Sequence, residues 1–393
     1  MAQTKKSLKC STTEIYTHQR PKRGKPTNHT HSPSKDSILA NPTLSEEVIT
    51  AILVRLPVKS LLKFKSVSKE WFALISIPHF VKTHLSFSAN YSTRHRLVLQ
   101  IDKYSPRKRI HRHCSVASLF YDSVTETFDL DNPVKDPVLF TSIAGSSNGL
   151  ICYNICHDLT LWNPSTRKFK QLPDLGLQMT SDFHIGFGYD RVHDDYKVVA
   201  IIREFRTNYY YAKIYSLKSD SRRTMDDYQG ARLYHHSGML VNENLHWITK
   251  YDDGYGIMFI DLVDGKCSKV EKPWYGKEYL DLKLGVLGSH LSVICCHERS
   301  DVWVLKEYGV KESWTKLYTI KCPYYMLSPP LCMSIEGEIL HVFRSTLMTY
   351  NPEDDLMRYP EITNLDGYDH LEAELYIESL GCPVLQNEPM AQH

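Results

Sequence analysis

The sequence predicts a small all-α module followed by a long all-β, propeller-like domain of about six blades. Three observations carry that expectation. A capped, amphipathic helical stretch begins at residue 43, the texture changes to short strands near residue 95, and a strand-and-turn mark then recurs at a roughly constant interval. The 393 residues, 42% hydrophobic and 11% aromatic, suffice for one small module and one large β unit. Twenty-five tyrosines, with Val, Ile, Phe and Trp, tilt the larger part towards strands.

Residues 1–40 hold eight Lys/Arg against Glu14 and Asp36, a net +6; the chain total of +2 therefore leaves the remainder at −4. This segment has too few clustered apolar residues to offset its ordering entropy, so a disordered basic tail is expected over 1–40. Its run from Arg20 to Lys25 reads as a solvated tail, with a nuclear import signal or a polyanion contact as the alternatives. A flexible tail is expected again over 383–393. No window approaches the roughly 18 apolar residues of a membrane span, and the N-terminus lacks the apolar core of a secretory signal. Cytoplasmic or nuclear residence follows, with no membrane partner. The ten cysteines form no regular framework and read as free thiols.

The helical module opens at Thr43-Leu-Ser-Glu46, which has capping-box spacing. Leu44, Val48, Ile49, Ile52, Leu53 and Leu56 then form one apolar stripe on a helix of about three turns. Pro57 ends that helix and suits the first turn of a second, near 58–65. A third carries Trp71, Phe72 and Ile75 and is expected to stop at Pro78. Three such short helices cannot shield all their apolar surface, so the excess suggests a partner.

Leu44 through Trp71, with Leu56-Pro57, Leu61-Leu62 and Val67-x-Lys69-x-Trp71 at their spacings, closely resembles an F-box over residues 41–85. Ser45 departs from the pattern, which usually has proline there. The resemblance implies docking on a Skp-type adaptor subunit, itself held by a cullin scaffold with a RING subunit. By carry-over, Leu44, Pro57, Val58, Leu61, Leu62, Val67, Lys69 and Trp71 are the candidate docking residues. Leu62 and Trp71 are alternatively core residues of the module.

From about residue 95, short alternating runs are punctuated by Gly, Asn, Pro and Asp. The recurring mark is Phe120-Tyr-Asp122, Leu161-Trp-Asn-Pro164, Ile214-Tyr-Ser216, Phe259-Ile-Asp261, Val302-Trp-Val304 and Thr349-Tyr-Asn-Pro352, at steps of 41, 53, 45, 43 and 47. Periods in the forties suit four-stranded propeller blades. A second mark precedes four of these: Asn148-Gly-Leu150, Asn244-Leu-His-Trp247, Ser289-His-Leu291 and Glu336-Gly-Glu338. The first and last strands are expected to pair, making Tyr376–Leu380 necessary for closure. Trp162-Asn-Pro-Ser-Thr-Arg167, Gly186-Phe-Gly-Tyr-Asp190, Asp195-Tyr-Lys-Val-Val199 and Tyr376-Ile-Glu-Ser-Leu380 resemble the F-box-associated, kelch-like domain of plant F-box proteins, here over 95–382. Ser221-Arg-Arg223 stands where that family often has Ser-Trp-Arg, and the paired glycines of true kelch repeats are absent.

Nothing selects a catalytic, cofactor or metal site. Cys152-x-x-x-Cys156-His157 and Cys295-Cys296-His297 lack zinc-knuckle spacing. His111, His113 and Cys114 read as a solvated basic loop, His235-His236 has no acid in motif spacing, and Asp194-Asp195 and Asp252-Asp253 read as turn formers. Tryptophans 162, 247, 303 and 314 read as core wedges, and the net acidic remainder argues against nucleic acid. The leading expectation is a non-catalytic substrate-recognition adaptor of a Skp–cullin–F-box ubiquitin ligase, with an unknown protein target. The alternatives are an F-box scaffold acting outside the ligase and a propeller-based enzyme. Three loops, Ser105–His113, Ser219–Gly230 and Tyr251–Gly256, are candidates for target contact.

Overall fold

The computed structural model describes residues 44–105, 107–131, 133, 141–177, 182–204, 209–225, 228, 232–234, 237–251, 254–273, 281–296, 299–321, 326–365 and 367–383. The basic tail, Thr43, His235-His236, Asp252-Asp253, His297 and residues 384–393 lie outside them. Four helices come first: α1 (Glu46–Leu53), α2 (Val58–Phe64), α3 (Lys69–Ser76) and α4 (Pro78–Ala89). Each has a local cause. Glu46 and Glu47 complement the dipole at the start of α1. Pro57 stands at the N-cap of α2, and the Ser68 hydroxyl caps α3 by accepting from the Trp71 N–H at 3.2 Å.

Pro78 does end α3, as expected, but it also occupies the first position of α4, a helix the sequence reading does not include. The reason is visible in its buried stripe. Phe80, His84 and Ser88 face inward at a spacing of four, and two of the three are polar, which hides the apolar period.

The β region opens with the strand His95–Tyr104, paired on one side with Arg107–Ser115 and on the other with the last strand, His370–Ile377. Phe128–Asp129 completes this four-stranded sheet. Three further sheets are simple four-stranded antiparallel meanders: Thr141–Ser147 to Lys168–Gln171, Asp281–Leu287 to Trp314–Ile320, and Cys332–Met333 to Leu356–Arg358. The strands between Asp182–Asp190 and Cys267–Val270 form a single eight-stranded sheet. The described residues thus give four separate four-stranded sheets and one of eight, where about six separate blades were expected. Its two halves are joined by a short parallel seam, Ser237↔Ile185 and Gly238↔Gly186. A Cβ on Gly238 would lie 2.5 Å from the Trp247 ring, so the indole can cover the seam only if that residue is glycine. A small parallel pair, Val124–Thr125 with Glu361–Ile362, lies apart.

Buried apolar clusters join neighbouring units all the way round. Val98 and Tyr376 of the first sheet meet Ile151 and Trp162 of the second, whose Leu161 packs with Phe187 and Val198. Val199 meets Trp247, Ile248 meets Leu291, Ile294 meets Ile339, and Leu340 returns to Leu97 and Leu99. A core that runs in this cyclic order and ends where it began is that of a propeller-like ring.

Five of the six recurring marks fall on the third strand of a unit, and the turn chemistry matches. The Tyr215 hydroxyl donates to Asp220 at 2.5 Å and the Tyr350 hydroxyl to Asp355 at 2.9 Å, and Tyr189 donates likewise to Asp194. Each aspartate takes a positive φ, between 47° and 54°, that closes the following turn. Asp190 is a different case. Burial would raise its pKa, but Lys197 at 2.7 Å, with His193, holds the carboxyl down to about 2, so this acid of the Gly-Tyr-Asp motif is a turn anchor.

Three readings are corrected. Phe120 and Tyr121 belong to a helix, α5 (Val116–Tyr121), capped by Ser115, so that mark is not a strand. The stretch through His111, His113 and Cys114 is the strand Arg107–Ser115, with His111 and Cys114 buried, not a solvated loop. The strand Ser221–Met225 occupies much of the second proposed target loop, and strands ending at Tyr251 and starting at Gly254 take up the described part of the third. Trp162, Trp247 and Trp314 are buried wedges, and Trp303 is partly so.

Two histidines pin adjacent sheets. His246 meets the Tyr308 hydroxyl at 2.8 Å, and His341 meets the Tyr318 hydroxyl at 2.8 Å. Burial lowers both, like His111, from 6.5 to about 4. A histidine whose pKa is lower folded than unfolded binds its proton more tightly in the unfolded chain. The stability these histidines contribute is therefore full above about 6.5 and falls as the pH drops towards 4. The denaturant midpoint should decline steadily across that window, and His341→Gln should flatten the slope; a midpoint flat from pH 7 to 4 would contradict this. Ending the chain at residue 369 removes the whole closing strand and should give a protease-labile protein with no sharp melting transition. A truncated chain that melts sharply would contradict closure by this strand.

Candidate docking site on the helical module

The helical module has a compact core of Leu53, Val58, Leu61, Ile75 and Phe80, on which Trp71 and Phe64 pack in an edge-to-face pair 5.4 Å apart. The structure divides the candidate residues accordingly. Val58 and Leu61 are wholly buried and offer no side-chain surface. Pro57 and Trp71 are half-buried, the first setting the start of α2 and the second packing on the core. Leu44, Leu62, Val67 and Lys69 are exposed, with Leu44 60% and Val67 61% accessible.

Other apolar side chains join the exposed set: Val48, Ile52, Phe72 and Ile77. Val48 and Ile52 share one face of α1 one turn apart, while Ile49 and Leu53 of the same stripe turn inward. The stripe read from the sequence is thus wider than the core it covers. That width was the available signal for Val48 and Ile52. Exposed apolar residues at this density on so small a module mark a protein-contact surface. Lys65 extends over the Phe72 ring at 5.7 Å, and burial lowers its pKa, so its stem is drawn against that surface.

The module is fastened to the sheets at several points. Leu380, just past the closing strand, enters the helical core. Arg94, just before the first strand, donates to the Arg55 carbonyl at 2.6 Å, while inside the module the His84 ring meets the Leu56 carbonyl at 3.0 Å. Glu378 accepts from Arg96 at 2.9 Å and lies 3.8 Å from Arg94, a partly buried trio spanning both chain ends of the ring. The Lys82–Asp194 pair at 2.6 Å is half exposed and contributes little. Asn163 of the Trp-Asn-Pro motif completes the fastening: its amide donates to the Ser379 carbonyl at 3.0 Å and the Gly381 carbonyl at 2.7 Å. Gly149, at φ +79°, leaves room for this segment, since a Cβ there would sit 2.3 Å from the Ser379 hydroxyl.

Burial pushes Cys114, Cys152 and Cys332 up to about 12, which makes them poor nucleophiles. Among the described residues no group of three or more His, Cys, Asp or Glu is placed to hold a metal ion.

Known proteins share both parts. Residues 42–83 match the F-box domain family, and residues 96–366 match the family described as the F-box associated beta propeller domain. An F-box/kelch-repeat protein of Arabidopsis thaliana is 28% identical over 360 residues, covering 86% of this chain and 95% of that protein. The F-box protein CPR1 of the same plant is 29% identical over 385 residues, covering 86% and 89%. A third Arabidopsis F-box protein is 30% identical over 334 residues, covering 75% and 79%.

Leu380→Ala should destabilise the whole protein by about 2–3 kcal/mol, because it removes a buried anchor shared by the helical core and the closing segment. Chemical denaturation checks this; a loss confined to the helices, with the sheets melting unchanged, would contradict a shared anchor.

Proposed function

Since the chain belongs to the F-box proteins in which an F-box precedes an F-box-associated β-propeller, we propose that it is the substrate-recognition adaptor of a Skp–cullin–F-box ubiquitin ligase. The observation that carries this reading is the row of exposed apolar side chains, Val48, Ile52, Leu62, Val67, Phe72 and Ile77, on helices whose own core is already filled. The Skp-type subunit covers this surface and links the chain to the cullin and RING subunits. Val58 and Leu61 hold the helices at the angles docking requires, while Leu44, Leu62, Val67 and Lys69 make contact. The propeller holds a target protein. The chain itself breaks no bond; it raises the effective concentration of target lysines near the charged conjugating enzyme. Such work belongs in the cytoplasm or nucleus.

We count the eight-stranded sheet as two blades joined by the glycine seam, which makes six. The support is the cyclic order of the buried clusters, each shared by successive four-stranded units.

Pull-down of a Skp-type subunit by the full chain tests the reading. Val67→Asp with Phe72→Asp should abolish capture while leaving the melting temperature unchanged, since both residues are exposed; truncated interface anchors cost about 2 kcal/mol or more each. Undiminished capture would contradict the assignment.

A further inference from the structure

The innermost strands surround a cavity of about 930 Å3, to which every unit of the ring contributes. Its walls are largely apolar: Ile143 and Phe183, Met239 and Leu327, Val342 and Leu371. Charged groups interrupt them. Lys283 is engaged with the Leu327 carbonyl at 2.9 Å, and Arg344 reaches the Met326 sulfur. His370 lies 3.8 Å from Asp102. Asp182 lies 4.0 Å from Arg203, and Glu372 accepts from the Gln100 amide at 3.1 Å.

Glu374 is the exception. It lines the cavity from the closing strand, and its carboxyl has no hydrogen bond or ion pair among the described residues. Burial, then the charge of Glu372, pushes it up to about 7. Nearby, the wholly buried Tyr153 hydroxyl is also without a hydrogen-bond partner among the described residues; burial, then the charge of Glu374, raises its pKa. A half-buried carboxyl without a partner, set in a cavity with apolar walls, is open to a guest that supplies the donor.

We propose that this cavity is the target-recognition subsite of the adaptor and takes a lysine or arginine side chain of the recruited protein, with Glu374 as its counter-charge. The chemistry of the walls fits such a guest at both ends. Methylene stems pack on Ile143, Phe183 and Met239, while the ammonium or guanidinium head meets Glu374. The volume suits one such side chain with its flanking backbone. The inference rests on the adaptor reading and adds the chemistry of what is recruited.

The closing strand runs from the cavity towards the helical module. His370 pairs with Asp102, Glu374 with Val98 midway, and Ile377 with His95 beside the module. Three residues, roughly 10 Å along the strand, separate Glu374 from the module end.

The test pans displayed random heptapeptides against the full chain in complex with its Skp-type subunit, then measures a selected peptide by fluorescence anisotropy. The expected result is enrichment of Lys or Arg at one position. Exchange of that residue for norleucine or citrulline should weaken binding about tenfold or more, the scale of a charge-assisted hydrogen bond. Glu374→Gln should produce the same loss, and the two changes together should cost no more than either alone. Met239→Trp, which narrows the apolar wall that packs the stem and leaves Glu374 in place, should also weaken binding. The proposal is overturned if no basic residue is enriched, or if the selected peptide binds both variants as tightly as the parent chain. Skp-type capture is read in parallel and should stay unchanged in both variants, so failure of the subsite and failure of F-box docking give different results.

Discussion

The structure depends on one pairing. The strand His95–Tyr104 lies between its sequence neighbour and the strand His370–Ile377, so one ladder ties the start of the β domain to its end. Without that ladder the first sheet would lose its innermost strand, and the Leu340–Leu97 and Trp162–Tyr376 contacts would open together. A propeller left open also presents an unpaired edge, an invitation to aggregation that closure removes. The loop-closure cost of joining such distant segments is met cooperatively, by a ladder flanked by buried clusters on both sides.

The same closing segment holds the helical module. Glu378, Ser379 and Leu380 follow the last strand directly, and each is used: Glu378 for Arg94 and Arg96, Ser379 for Asn163, Leu380 for the helical core. The F-box is thereby attached to the ring through groups that are mostly buried, not through a free linker. On the proposed adaptor reading this matters mechanically. Proximity raises a transfer rate only when the target is presented within a limited range of positions, and a rigid joint between docking helices and propeller restricts that range.

Much of the architecture was legible because it is local. The marks at Leu161-Trp162, Ile214-Tyr215, Phe259-Ile260, Val302-Trp303 and Thr349-Tyr350 each end or fill a strand whose large side chain is buried and whose following turn is set by a few residues. The F-box helices showed for the same reason, with Pro57, Ser68 and Pro78 as punctuation. What stayed hidden was either masked by polar residues in a buried stripe, as in α4, or set by distant partners. His111 and Cys114 looked like members of a basic loop because the strands that bury them lie far away in sequence. The helical pattern did not say which residues the core would cover: Leu62 and Trp71 were the ones read as alternatively core, whereas Val58 and Leu61 are buried and Leu62 is exposed. The Glu374 carboxyl could not be read at all, since a lone acid in an alternating strand has no signature until the cavity around it is known.

Native-state hydrogen exchange tests the central claim, that ring closure and F-box attachment form one cooperative unit. Amides of the closing strand His370–Ile377 and of α4 should exchange with the same free energy as those of the inner strand Asp182–Asp190, each requiring global unfolding. Exchange of the closing strand or α4 by a low-energy local opening, with the remaining sheets still protected, would contradict it.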